Sequence, residues 1–176
     1  MNMHDLPGSV PRKSLPAFVL AAVALFVTFY VAYLEIPDDV LRLAIYPNAL
    51  GRPAAAVIDA LVPAEHVRVD ANRLLADGTS LGIVRGCDGA GVLFLLVAAI
   101  AAYPAPRLAR VRGALAACGF VYVLNEGRIT LLYFVLAHRH LWFTTVHEYL
   151  LPTFLIAASC AFFMRWSAKA GAGGPS

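Results

Sequence analysis

Apolar residues in this chain come in long blocks, not in the alternation or narrow stripes of a soluble fold. A helix crossing a bilayer core needs roughly 20 apolar residues, and four blocks suit that role. They run from Leu15 to Leu34, from about Gly89 to Tyr103, from about Gly113 to Ala137, and from about Tyr149 to Trp166. The second is the shortest and must borrow Gly86 to Asp88 to span, giving 86–103. Pro104 and Pro106 end it, because proline cannot continue a helical ladder. The loop over 35–85 has its own pattern. Ala54, Val57, Ile58 and Leu61 fall at i, i+3, i+4 and i+7, which predicts a short helix opened by Pro53 and closed by Pro63 along the membrane–water boundary. His66 to Asp70 alternates, Asp77-Gly78 is a turn signal and Leu81 to Arg85 reads as a strand, which predicts a small β-hairpin. The expected fold is an all-α polytopic membrane protein: one domain, four transmembrane helices (15–34, 86–103, 113–137, 148–166) and a small extracytoplasmic loop region.

Composition sharpens this picture. Of 176 residues, 60% are hydrophobic and 14% charged, where a soluble domain carries about 25% charge; mean hydropathy is +0.72. A soluble globule, a disordered chain and a nucleic-acid-binding module are all poor fits. The pI is near 8.9, but the net charge is only +3 and the Lys and Arg residues are dispersed.

Their positions orient the chain. Arg12 and Lys13 precede the first span, Arg107, Arg110 and Arg112 lie between the second and third, and Arg165 and Lys169 follow the fourth. With an even number of spans these clusters share one side, which the positive-inside rule makes cytoplasmic. Both termini, 1–14 and the flexible tail 167–176, are then cytoplasmic, and 35–85 lies outside. The first span is longer than a signal-peptide core, and no small-x-small cleavage site follows it, so it reads as an uncleaved anchor. These features place the chain in the cytoplasmic (inner) membrane.

Three cysteines are present. Cys118 and Cys160 fall within spans and read as small packing residues. Cys87 falls at the outer face, where disulfides form, yet no second cysteine shares that side. It is either a small packing residue among glycines or a thiol with chemistry to perform. The N-terminus of the second span would stabilise its thiolate, and Gly86, Gly89 and Gly91 leave room for a substrate backbone. Asp88 acts in the opposite direction, so the sign of any pKa shift stays open.

Asn125, Glu126 and Arg128 interrupt the apolar third span. Ionisable groups in a membrane by default mark a functional site facing the bundle interior. Arg128 snorkelling to the headgroups, or pairing with Glu126, is the structural alternative. His147 opens the fourth span at the outer face, with His138 and His140 as weaker candidates in the same loop. A thiol, a guanidinium and an imidazole thus converge at one level on three helices. They match the nucleophile, oxyanion stabiliser and base that thiol-based acyl transfer requires.

From about Leu81 to Trp166 the chain resembles the exosortase/archaeosortase family. The resemblance rests on Cys87-Asp88-Gly89 opening a span, Asn125-Glu126-Gly127-Arg128 in the next, and His147 at the start of the last. It implies a membrane cysteine protease/transpeptidase acting at the outer membrane face. Its substrates would be exported proteins whose C-terminal sorting signal combines a short motif, a transmembrane helix and a basic tail. By that resemblance Cys87 is the nucleophile, Arg128 the oxyanion or carboxylate clamp and His147 the general acid/base. Asp88, Gly89, Asn125 and Glu126 would then surround the substrate. Larger members carry more spans, so the likeness is to a compact form.

Neither a cofactor nor a metal is expected, since no Cys/His spacing resembles a zinc site. Besides such substrates, membrane lipid is the expected partner, and nucleic acid is not. A competing class is a non-catalytic four-helix membrane scaffold or assembly subunit of an export or polysaccharide system, which leaves Cys87 and Arg128 unassigned. A membrane thiol–disulfide oxidoreductase needs a paired C-x-x-C site, which is missing. A channel or transporter needs a sustained polar stripe, and no span carries one.

Overall fold

The computed structural model describes residues 15–76 and 78–172. Arg12 and Lys13, Asp77 of the expected turn and tail residues 173–176 lie outside them. The chain is mostly helical, with a small three-stranded antiparallel sheet. In chain order, α1 is Leu15–Leu34 and α2 is a helical segment over 38–61. The sheet comprises β1 (Arg68–Asp70), β2 (Arg73–Ala76) and β3 (Thr79–Gly82). Then follow α3 (Ala90–Ala102), α4 (Arg107–His138) and α5 over 140–172. Among the described residues three helices are long and apolar enough to cross a membrane: Leu15–Leu34, Arg107–His138 and His140–Gly171. The chain therefore has the character of a multi-pass membrane protein.

Several boundaries differ from the sequence expectation, each for a local reason. Helix α3 has 13 residues and begins at Ala90, so 86–89 are turns and not its first turn. Helix α4 begins at Arg107, six residues before the expected start. Pro106 has its carbonyl in place to accept from the Arg110 N–H at 3.1 Å, and the basic link becomes the first turns of the helix. The loop expected at 138–147 shrinks to Arg139, because a 3₁₀ turn at His140–Trp142 starts α5 at once. At its other end α5 runs through Ala172, since Ala168, Lys169 and Ala170 are good helix formers.

Helix α2 starts at Asp38 instead of at Pro53. Wider i→i+5 turns over Leu41–Ile45 and Pro47–Gly51 carry the helical path past Pro47. Pro53 has no N–H for the Ala49 carbonyl four residues back, and the Tyr122 hydroxyl donates to that carbonyl at 3.0 Å. The face of α2 buries Ala54, Ala55 and Ile58 but leaves Val57 and Leu61 exposed, so only half of the expected stripe is covered. The expected hairpin is a three-stranded sheet in the order β1-β2-β3. The strand missed is β2, whose adjacent Leu74 and Leu75 break the alternation. Between β2 and β3, Gly78 stands at φ +78°.

The chain groups into two compact units, each described separately. The first takes in 15–33, 91–121 and 156–172 among the described residues. Its core is Leu96, Ile100, Ala117 and Val121, with Phe120, Phe162 and Phe163 packed against it. Tyr103 meets Phe163 and Trp166 edge-on, with ring centroids 5.8 and 5.4 Å apart. Arg110 donates to the Ala101 carbonyl at 2.9 Å, capping the end of α3. Cys118 and Cys160, both on long helices, are exposed on the chain's surface.

The second unit takes in 34–90 and 122–155. A Cβ at Gly51 would stand 2.9 Å from Val69, so α2 lies directly against β1. Asp59 accepts from the Val67 N–H at 2.9 Å, and the buried Tyr133 donates to Glu65 at 2.6 Å. Arg85 pairs with Asp38 at 2.9 Å and also donates to the Ile36 carbonyl, tying the turn after β3 to the start of α2.

Gly113 gives the fold a test with an informative sign. A Cβ there would lie 2.3 Å from Nε1 of Trp166. Helix propensity alone makes Gly→Ala stabilising by about 1 kcal/mol, whereas overpacking costs about 1–3 kcal/mol. Gly113→Ala should lower the detergent-solubilised melting temperature, and Trp166→Phe in the same chain should restore part of the loss. A higher melting temperature for Gly113→Ala would contradict this packing.

Candidate active site

Cys87 sits in the turn between β3 and α3, three residues before the helix. Its N–H donates to the Val84 carbonyl at 2.9 Å, closing the turn that Gly86, at φ +86°, permits. Asp88 occupies the cap of α3: Oδ1 accepts from the Ala90 N–H at 3.2 Å, and Oδ2 accepts from the Tyr46 hydroxyl at 3.0 Å. The first N–H of the helix is thus taken by a carboxylate.

Sγ of Cys87 lies 2.9 Å from Nε2 of His147. The imidazole lies in the wide turn Val146–Leu150 near the start of α5. Phe143, one helical turn earlier, stacks on it with centroids 5.3 Å apart and planes 7° from parallel. That stack fixes the ring plane, leaving Nε2 aimed at the thiol.

Arg128 donates from one terminal guanidinium nitrogen to the Cys87 carbonyl at 3.3 Å. Its side chain is 6% exposed, and its Nε is buried without a partner among the described residues. Glu126 does not pair with it among the described residues. Both Glu126 oxygens are buried without partners there. Asn125, 1% exposed, packs where a Cβ on Gly89 would stand 2.9 Å from its side chain. Gly89 has φ +77°, so the position demands glycine for conformation and for space alike.

The structure therefore brings Cys87, His147 and Arg128 together, with Asp88, Gly89 and Asn125 bracing the thiol's turn. Glu126 is buried on the same helix but joins no bond of the site. His138 pairs with Glu65 at 3.5 Å, away from the thiol. Sequence reasoning missed Tyr46 and Phe143. The i, i+4 spacing of Phe143 and His147 was a signal for the second; no spacing pointed to Tyr46. Among the described residues no three His, Cys, Asp or Glu side chains gather as a metal ion would need.

Burial pushes the Cys87 thiol up from its ordinary value. The Arg128 guanidinium pulls it back and the Asp88 carboxylate pushes it up again, so the net direction is up. Nε2 of His147 is placed to accept the thiol's proton. In a chain with Cys118 and Cys160 replaced by alanine, the iodoacetamide alkylation rate of Cys87 should still be rising as pH passes 9.0, the ordinary thiol value. Arg128→Gln should move the midpoint higher and Asp88→Asn lower. A midpoint clearly below 9.0 in the parent chain would contradict this balance.

Comparison of the chain with protein-family models, with curated proteins and with solved structures finds no match.

Proposed function

We propose that the protein is a membrane-embedded cysteine protease/transpeptidase that acts through a thioacyl-enzyme. The observation that carries this reading is the 2.9 Å contact of Cys87 Sγ with His147 Nε2, with Arg128 held 3.3 Å from the carbonyl of the same cysteine. A nucleophile, a base oriented by an aromatic stack and a buried cation on three separate segments is the arrangement acyl transfer needs. A scaffold needs none of these, and burying a guanidinium costs it stability.

In the first step Cys87 passes its proton to Nε2 of His147 while Sγ bonds to the peptide carbonyl carbon. The carbonyl electrons move to oxygen. The Arg128 guanidinium, 3.3 Å from the Cys87 carbonyl, stabilises that oxyanion by turning a terminal N–H from this carbonyl toward it. The C–N bond then breaks, the leaving amine takes the proton from His147, and a thioester remains on Cys87. An acceptor amine or water attacks the thioester, His147 takes its proton, and the thiolate leaves and is reprotonated.

The substrates, by the resemblance in the sequence, are exported proteins carrying a C-terminal motif, a transmembrane helix and a basic tail. The topology that suits this role has four crossings, cytoplasmic termini and Cys87 on the extracytoplasmic face of the inner membrane. Helix α3 covers only about 20 Å of a roughly 30 Å core. The turns at 86–89 and 103–106 flank it at the two interfaces, outside the crossing itself. The exposed Val57 and Leu61 give α2 an apolar rim suited to the outer boundary.

Arg128→Lys separates a catalytic guanidinium from a structural one. A flexible ammonium snorkels as well as a guanidinium, but it lacks the fixed fork of donors. The Lys variant should accumulate in the membrane normally and process a sorting-signal substrate slower by a factor on the order of 10²–10³. Processing by Arg128→Lys at the parent rate would remove Arg128 from the chemistry.

A further inference from the structure

Strand β3 is an edge strand, because the sheet order is β1-β2-β3. In an antiparallel ladder, residues alternate between those whose N–H and C=O face the partner and those whose groups face away. The Ile83 N–H donates to the Asn72 carbonyl at 2.7 Å, continuing the register in which Arg73 opposes Gly82. Counting back from Ile83, the backbone groups of Leu81 and Thr79 face β2, and those of Gly82 and Ser80 face outward. Ser80 and Gly82 are exposed, and no strand among the described residues pairs with their outer side.

A groove of about 340 Å³ runs along this strand. All five consecutive residues from Ser80 to Val84 line it. Side chains on a strand alternate between faces, so an unbroken run of lining residues means that the backbone edge itself is the wall. The opposite wall is apolar, with Ile129, Leu132 and Leu136 of α4 and with Phe143. Cys87 and His147 line the same groove. A Cβ on Gly82 would meet nothing within 4 Å, so no side chain obstructs the edge there.

We propose that the substrate polypeptide binds as an added strand on the free edge of β3, with Ser80 and Gly82 supplying main-chain hydrogen bonds that deliver its scissile bond to Cys87. This rests on the acyl-transfer reading above and gives that site its mode of substrate recognition. Open strand edges invite a partner strand, and β-strand addition draws affinity from main-chain bonds and selectivity from alternate side-chain pockets. The apolar wall of Ile129, Leu132 and Leu136 would take small aliphatic side chains. Main-chain pairing needs an extended segment, so a helix that is still wound cannot occupy this edge.

The test uses the full chain in detergent, with Cys118 and Cys160 replaced by alanine. An alternating Ala/Val pentapeptide is made with a C-terminal chloromethyl ketone and, separately, with an N-terminal chloroacetyl group, since a strand can pair in either direction. One of the two should label Cys87 about tenfold faster, relative to its own electrophile on a single acetylated residue, as the loss of one or two main-chain bonds implies. Gly82→Pro removes an outward N–H while leaving the ladder to β2 intact. It should abolish the pentapeptide advantage and leave labelling by 2-chloroacetamide unchanged. Should Gly82→Pro fail to fold, N-methylation of the pentapeptide on the parent chain decides: alternate amides should be sensitive and those between them insensitive. A missing pentapeptide advantage with normal 2-chloroacetamide labelling would overturn the edge docking alone. So would uniform tolerance of N-methylation. A Cys87 that reacts with no reagent would overturn the acyl-transfer reading as well. Conversion of a dimer to a monomer by Gly82→Pro, with pentapeptide labelling intact, would assign the edge to a second copy of the chain and overturn the proposal.

Discussion

Gly89 lies against Asn125 so closely that a Cβ would stand 2.9 Å from the amide, and the remaining site geometry depends on that approach. It presses the turn carrying Cys87 onto α4 at the level of Asn125. One turn further along the same helical face comes Arg128, which then reaches the Cys87 carbonyl at 3.3 Å. Asp88 holds the other side of the turn through the Ala90 N–H and the Tyr46 hydroxyl. With the turn fixed from two sides, His147 needs only its stack on Phe143 to present Nε2 to the thiol. Any residue larger than glycine at 89 would move Cys87 away from both partners at once.

This bracing sits beside groups that are expensive to bury. Arg128 at 6% exposure and Asn125 at 1% keep polar atoms without protein partners among the described residues. Uncompensated polar groups in a packed interior cost free energy, and a structure that served only stability would pair them or replace them. Under the proposed acyl transfer, their place beside Cys87 and His147 gives them a use as donors and acceptors toward a substrate.

The large features were legible in the sequence because they follow from hydropathy. Helix α1 spans Leu15–Leu34 as the pattern predicts, and the long apolar helices follow from the same signal. Cys87, Arg128 and His147 were legible by their convergence, as a thiol, a guanidinium and an imidazole expected at one level of three apolar helices. Boundaries were less legible. Proline was read as an opener at Pro53, yet wide turns and the Tyr122 hydroxyl let α2 pass through it. Strand β2 was hidden because Leu74 and Leu75 are both apolar, so the period-2 pattern fails although Leu74 is fully buried. The contacts of Tyr46 with Asp88 and of Glu65 with Tyr133 join residues 42 and 68 apart, and no local pattern encodes such pairings.

The central claim is that Cys87 becomes acylated during turnover, and capture of that intermediate tests it most directly. Membranes containing the parent chain and an exported protein with a C-terminal sorting signal would be quenched in acid, digested and read by mass spectrometry. The account predicts a substrate-derived acyl adduct on the Cys87 peptide that hydroxylamine releases, with no adduct on the Cys118 or Cys160 peptides. Processing that continues at the parent rate in Cys87→Ala, with no adduct on any cysteine, would contradict it.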